Sequence, residues 1–159
     1  GYRLEDNGIA LALLRSSYEP DVYPENGMCE EEFCVRFMKE RDSNLCLLQT
    51  FWEYNHGMDV VSGNRHNGIL EPKASYLNIR AEHVFLLSVK AAEDTEELIL
   101  RLYETSGNKQ KARMHFGRGV QKACRTDLLE RELEALKTDG TEVETELQAY
   151  EIMTIKVKL

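Results

Sequence analysis

Residues 84 to 107 constrain the fold more than any other stretch of this chain. Two apolar runs, Val84–Ala91 and Leu98–Glu104, flank the acidic turn Glu93-Asp94-Thr95-Glu96-Glu97. Both runs carry the period of two that belongs to strands, because successive strand side chains point to opposite faces. In the first run Val84, Leu86, Ser88 and Lys90 are expected on one face, with Phe85, Leu87, Val89 and Ala91 on the other. In the second, Leu98, Leu100, Leu102 and Glu104 alternate with Ile99, Arg101 and Tyr103. A polar turn between two such runs predicts a hairpin and gives the second half an all-β character.

The rest of the chain divides into two segments. In residues 1 to 75, a strand is expected over Ile9 to Arg15, then a loop whose turn residues are Pro20, Pro24, Asn26 and Gly27, then a strand over Glu31 to Met38. Residues 43 to 56 read as a short helix. Asp42 or Ser43 can cap it, Leu45, Leu48 and Trp52 recur at helical spacing, Leu47, Phe51 and Tyr54 widen that face, and Gly57 follows its end. Residues 57 to 75 are rich in Gly and Asn and read as a loop and domain boundary. In residues 76 to 159, strands are expected at Tyr76–Ile79, Val84–Ala91, Leu98–Glu104, Lys111–Phe116, Gln121–Arg125, Glu142–Leu147 and Ile152–Lys158, separated by turns such as Gly107-Asn108 and Asp139-Gly140. This spacing suggests a β-sandwich. Asp127 to Lys137 is ambiguous, since Leu129, Leu133 and Leu136 lie at helical offsets among good helix formers.

Four pieces of the sequence resemble the C-terminal β-domain of the α-mannosidases of glycoside hydrolase family 38. They are Gly8 to Ser17 followed by Pro20-Asp21; Ser88-Val89-Lys90-Ala91-Ala92-Glu93-Asp94 with Leu100-Arg101-Leu102-Tyr103-Glu104-Thr105-Ser106-Gly107; Thr126-Asp127-Leu128-Leu129-Glu130; and Tyr150-Glu151-Ile152-Met153-Thr154-Ile155-Lys156-Val157. Two places depart from that pattern. Glu30-Glu31-Glu32-Phe33 stands where a His-x-Phe strand is common, and the proline after the Arg-Ser pair is shifted to Pro20. The resemblance implies a mostly β fold. Residues 1–75 would be the end of a large sandwich with one helix, and residues 76–159 a smaller C-terminal sandwich. It also favours an extended state for residues 127–137.

Composition narrows the function. The 159 residues carry a formal net charge of −8, which argues against nucleic acid and anionic membrane surfaces as partners. No run approaches the about 20 apolar residues of a membrane span, and no signal peptide is visible. The chain begins with Gly1, which fits a processed end or a domain cut from something larger. Cys29, Cys34, Cys46 and Cys124 are too sparse for a disulfide framework. A metal reading would recruit Cys29, Cys34 and His56 or His66; the plainer reading is free thiols in a cytoplasmic protein.

The resemblance implies a parent enzyme that hydrolyses terminal α-linked mannose with retention, through a carboxylate nucleophile and an acid/base carboxyl. It also implies a divalent metal, usually zinc, held by His and Asp motifs in an N-terminal barrel. Such motifs are not found here. His56, His66, His83 and His115 are isolated, and no nucleophile elbow or phosphate loop is present. The acidic runs at Glu30–Glu32 and Glu93–Glu97 read as solvated faces. No catalytic or metal residue is therefore expected in this segment. The candidates for contact with sugar or with the barrel are Trp52, Arg101 and Tyr103, since sugars pack on rings and need fixed polar partners. For Trp52 the plainer reading is helix packing, and for Arg101 and Tyr103 a local ion pair or an edge-strand surface. The expected partner is the catalytic barrel of the same polypeptide, with mannose-containing oligosaccharide reached through the parent and self-association of the isolated piece expected. The alternatives are a stand-alone carbohydrate-binding module and a protein-interaction β-sandwich.

Overall fold

A computed structural model describes residues 1–14, 19, 27–39, 43–69 and 71–159. The chain forms two compact units, Gly1–Phe37 and Met38–Leu159. In the first, β1 (Tyr2–Glu5) and β2 (Gly8–Leu11) form an antiparallel hairpin with Tyr2 opposite Leu11. The expected strand at Ile9 is therefore present but ends at Leu11, and its forecast end at Arg15 lies outside the described residues. So do Pro20, Pro24, Asn26 and Asp42. The strand expected over Glu31–Met38 does not form: residues 28–39 belong to no sheet among the described residues. A strand needs a neighbouring strand for its backbone groups, and no ladder among the described residues includes this segment.

The second unit opens with α1 (Asn44–Asn55). Ser43 is its N-cap, with its Oγ accepting from the Cys46 backbone N–H at 3.2 Å. The described residues of 57–75 contain no helix or strand. Nine strands follow: β3 (Leu77–Arg80), β4 (Val84–Ala91), β5 (Leu98–Glu104), β6 (Gln110–Phe116), β7 (Lys122–Thr126), β8 (Glu132–Ala135), β9 (Lys137–Asp139), β10 (Glu142–Leu147) and β11 (Ile152–Lys158). They build an antiparallel four-stranded sheet, β3-β6-β10-β9, and an antiparallel five-stranded sheet, β4-β5-β11-β7-β8. The fold is mostly β, and the ambiguous stretch after Thr126 is turn and strand, not helix. Its helical spacing is overridden because β8 completes the ladder beside β7, with Cys124 opposite Ala135.

The core lies between the two sheets. Ala112, Met114, Phe116, Val143 and Leu147 from one sheet meet Leu100, Leu102, Ala123, Met153, Ile155 and Val157 from the other. Each Val, Leu, Ile, Met or Phe among them contributes about 1.5–3 kcal/mol by leaving water. The hairpin β4–β5 forms as the pattern predicts, with one correction. A β-bulge between Leu86 and Ser88 takes Leu87 out of register. Leu86 lies opposite Leu102 and Val89 opposite Leu100, so Val84, Leu86, Val89 and Ala91 share the core side. Phe85, Ser88 and Lys90 take the outer side with Tyr103, Arg101 and Ile99. The extra residue switches the alternation, and Val89 and Ala91 stand on the face opposite to the one expected.

Candidate contact surface

Strand register brings two of the three candidate residues onto one surface. On the outer face of the five-stranded sheet, Phe85, Tyr103 and Ile152 form one row across β4, β5 and β11. Ser88, Arg101, Thr154 and Thr126 form the next, and Lys90, Ile99, Lys156 and Cys124 the one after. Helix α1 adds the third. Trp52 packs edge-on against Phe85, with ring centroids 5.9 Å apart at 71°. At the other end of the helix Asn44 Nδ2 donates to the Thr105 carbonyl oxygen at 2.9 Å. Trp52, Arg101 and Tyr103 thus belong to one side of the sandwich.

What these residues do there differs from an open sugar platform. One face of the Trp52 indole is occupied by the His56 imidazole, stacked at 3.8 Å and 9°. Arg101 lies on an interior strand rather than an edge and takes part in no ion pair among the described residues. Its Nε is buried without a hydrogen-bond partner, as is Thr126 Oγ1 two strands away in the same row.

The pieces of sequence that carry the family resemblance converge on two knots. The first is the turn Asp127–Arg131. Asp127 Oδ1 accepts from the backbone N–H groups of Leu129 and Arg131, and Oδ2 accepts from Arg131 Nε at 2.7 Å. Glu130 adopts a left-handed backbone (φ 64). From there its carboxylate reaches Lys90 Nζ at 2.6 Å and accepts from the Glu93 N–H at 2.9 Å. Because β4 and β7 are three strands apart in the sheet, this turn spans its outer face. Ile99, in the row it crosses, is only 1% exposed. The pairing holds the Glu130 carboxyl below its ordinary range, led by the hydrogen bond from Lys90, and raises Lys90 in return. Burial, first of all, pushes the Cys124 thiol up, which makes it a poor nucleophile.

The second knot is the corner after β5. Glu104 is fully buried, and its carboxylate accepts from the Ser106 N–H and hydroxyl, the Gly107 N–H and the Tyr150 N–H, at 2.5–2.9 Å. Burial alone would raise this acid. The hydrogen bonds from Ser106, Tyr150 and Gly107 outweigh it and hold Glu104 at about 2. Thr105 donates both N–H and hydroxyl to the His83 carbonyl. Gly107 sits at φ +76, a backbone that favours glycine, and the Tyr150 ring lies where its Cβ would be. The sequence placed Glu104 at the opening of a turn but gave no notice of this role. The only available signal was a strand ending in Glu just before a Gly turn.

Clefts open in the sandwich. One, of about 840 Å³, is lined by Arg80, Arg113, Arg125, Lys137, Glu144 and Met153 among others. Glu144 accepts ion pairs from both Arg113 and Lys137, so its charge is largely spent locally. Another, of about 410 Å³, is an apolar seam bounded by Leu77, Leu86, Val89, Leu98 and Phe116. The larger cleft also holds Glu134 and Glu146, the latter paired with Lys109, whereas no acidic side chain lines the apolar seam. Among the described residues no group of three or more His, Cys, Asp or Glu side chains is placed to hold a metal ion, and Cys29, Cys34, Cys46 and Cys124 are all free thiols. No helix among them is long and apolar enough to cross a membrane.

Comparison with known proteins agrees with this geometry. Residues 83–155 match the glycosyl hydrolases family 38 C-terminal beta sandwich domain. The chain is also similar to human alpha-mannosidase 2C1, at 27% identity over 128 residues. That match covers 77% of this chain but 12% of the relative, so the chain spans about one eighth of that protein's length.

Proposed function

We propose that this chain, whose residues 83–155 match the family 38 C-terminal β-sandwich domain, is the non-catalytic C-terminal β-portion of an α-mannosidase. Its task is to brace the catalytic barrel of the same polypeptide. The barrel would supply the nucleophile, the acid/base carboxyl and a divalent metal such as zinc. The parent would release terminal α-linked mannose from oligosaccharides in the cytoplasm, a setting in which four free thiols are stable.

One observation carries this reading. The segments that resemble the family are spent on holding the fold together. Glu104 is saturated by four donors, and Glu130 is clasped by Lys90 and the Glu93 amide. A nucleophile or an acid/base must instead be free to meet substrate. Trp52, with His56 stacked on one ring face, supports a packing role over a sugar platform. The test is hydrolysis of an aryl α-mannoside. The 159-residue chain alone should give no turnover, and the full-length polypeptide that contains it should be active. Turnover by the chain alone, or an inactive full-length protein, would contradict the proposal.

A further inference from the structure

The sequence carries three Asn-Gly pairs, Asn7-Gly8, Asn26-Gly27 and Asn67-Gly68, and the structure describes the first and third in full. At such a pair a chain can react with itself, because the glycine nitrogen can reach the asparagine Cγ with no Cβ on the glycine to hinder it. Two conditions govern the reaction. The backbone at the asparagine must be free to turn. The peptide nitrogen shares its lone pair with the carbonyl and is a poor nucleophile until its N–H is made more acidic. Both described pairs are exposed, but they differ on these conditions. Gly8 opens β2 and is held in the ladder opposite Glu5, so the hairpin fixes the backbone around Asn7. Asn67 and Gly68 belong to no helix or strand, and the Asn67 side-chain amide has no hydrogen-bond partner among the described residues. His66 meets the second condition. Its Nδ1 lies 3.1 Å from the Asn67 carbonyl oxygen. A carbonyl oxygen only accepts, so this hydrogen bond is donated by Nδ1–H. That carbonyl shares its peptide group with the Gly68 nitrogen. A donor on its oxygen stabilises the charge left when the Gly68 N–H gives up its proton.

We propose that Asn67-Gly68 is a self-modifying site and that His66 is the positioning residue that activates it. The Gly68 nitrogen loses its proton to water or hydroxide and bonds to Asn67 Cγ. The bond from Cγ to the side-chain nitrogen breaks, and that nitrogen takes up a proton and leaves as ammonia. The cyclic imide that remains takes up one water, which opens it at one carbonyl to give aspartate or at the other to give isoaspartate. No oxidant or reductant takes part. Each event turns a neutral side chain into a carboxylate in a chain of net charge −8, and the isoaspartate product reroutes the main chain through the former side chain. The change falls within residues 57–75, whose described residues form no helix or strand, so no ladder of the sandwich is broken and modified chains stay folded.

Incubating the native protein at mildly alkaline pH in water labelled with heavy oxygen, followed by peptide mapping in a mass spectrometer, tests this. The peptide that contains Asn67 should convert to aspartate and isoaspartate, each with one labelled oxygen, well ahead of the peptide that contains Asn7. In denaturant the two peptides should convert at similar rates. Conversion of Asn7 as fast as Asn67 in the native protein would overturn the site. So would an equal lead for Asn67 in denaturant, since that lead would owe nothing to the structure. His66→Leu should slow conversion of Asn67 about three- to tenfold, the worth of one hydrogen bond. His66→Asn, whose Nδ2–H stands where the imidazole Nδ1–H does, should restore most of the rate. Both variants should keep the melting temperature of the parent, because His66 is exposed. An unchanged rate in His66→Leu, or no recovery in His66→Asn, would overturn the role given to His66.

Discussion

The two outer faces of the sandwich are built on opposite plans. On the four-stranded sheet the outward rows read Arg80, Arg113, Glu144, Lys137 and Asn78, His115, Glu142, Asp139. Their charges pair across strands, as in Arg113–Glu144 at 2.5 Å and Lys137–Glu144 at 3.3 Å. None of the exposed large apolar side chains belongs to β3, β6, β9 or β10. On the five-stranded sheet the outward rows hold Phe85, Tyr103, Ile152, Ile99 and Cys124, with α1 at one end and the Asp127–Arg131 turn across the other. One face is finished with solvent. The other is half covered by the chain itself and still presents Ile152 and the outer side of α1. A sheet that invests in a second apolar face does so to pack against something on both sides.

Substitutions can break this contrast, and the largest effect belongs to the covered face. Ile99→Ala should cost about 3 kcal/mol in chemical denaturation, because Ile99 is buried although it points away from the core between the sheets. A surface-like loss there would refute the claim that this face is packed.

Glu104→Gln comes next, at about 2 kcal/mol near neutral pH, since an amide cannot accept from all four donors around it. Its corner fixes the end of β5 beside the Phe85–Tyr103–Ile152 row. The sign of the pH dependence follows from the shift. Glu104 is held at about 2 against an ordinary 4.5, so its stabilisation is complete above pH 4.5 and fades as pH falls toward 2. Wild type and variant should therefore converge in acid; a constant gap between pH 7 and 3 would show that the carboxylate charge is not what matters.

Gly107→Ala tests the same corner through its backbone. The left-handed φ alone should cost about 1–2 kcal/mol, and the exposed Tyr150 ring can swing aside to admit the methyl group. Smallest of all should be Arg113→Ala on the solvated face, which should leave the denaturation midpoint unchanged, because exposed ion pairs contribute little. A clear destabilisation there would erase the difference between the faces.

The strands at 98–104, 142–147 and 152–158 were legible because each alternates between an apolar core side and another environment, and 84–91 was legible as a strand although its bulge switches the faces midway. Tyr2–Glu5 was not, since all four of its residues are exposed and no buried side marks a period. The strand foreseen at Glu31–Met38 had a plausible pattern but joins no ladder among the described residues, and pairing is a property of two segments. The shared face of Arg101 and Tyr103 followed from period two; that Trp52 joins their side needed the docking of α1 on β4, which no local pattern encodes. The family-like segments were readable as a resemblance, yet their physical role was not. Glu130 meets Lys90, and Glu104 meets Tyr150, across 40 and 46 positions of sequence.

The bulge at Leu87 has a consequence for how this protein avoids its own kind. β4 is the outermost strand of its sheet and, at eight residues, the longest. Left straight, it would be a template onto which a neighbouring molecule could add a strand. One surplus residue in mid-strand spoils the spacing of its outward-facing amides and carbonyls, and the other three margins are strands of only three or four residues. Fibre-like stacking through sheet margins is thereby discouraged during synthesis and storage.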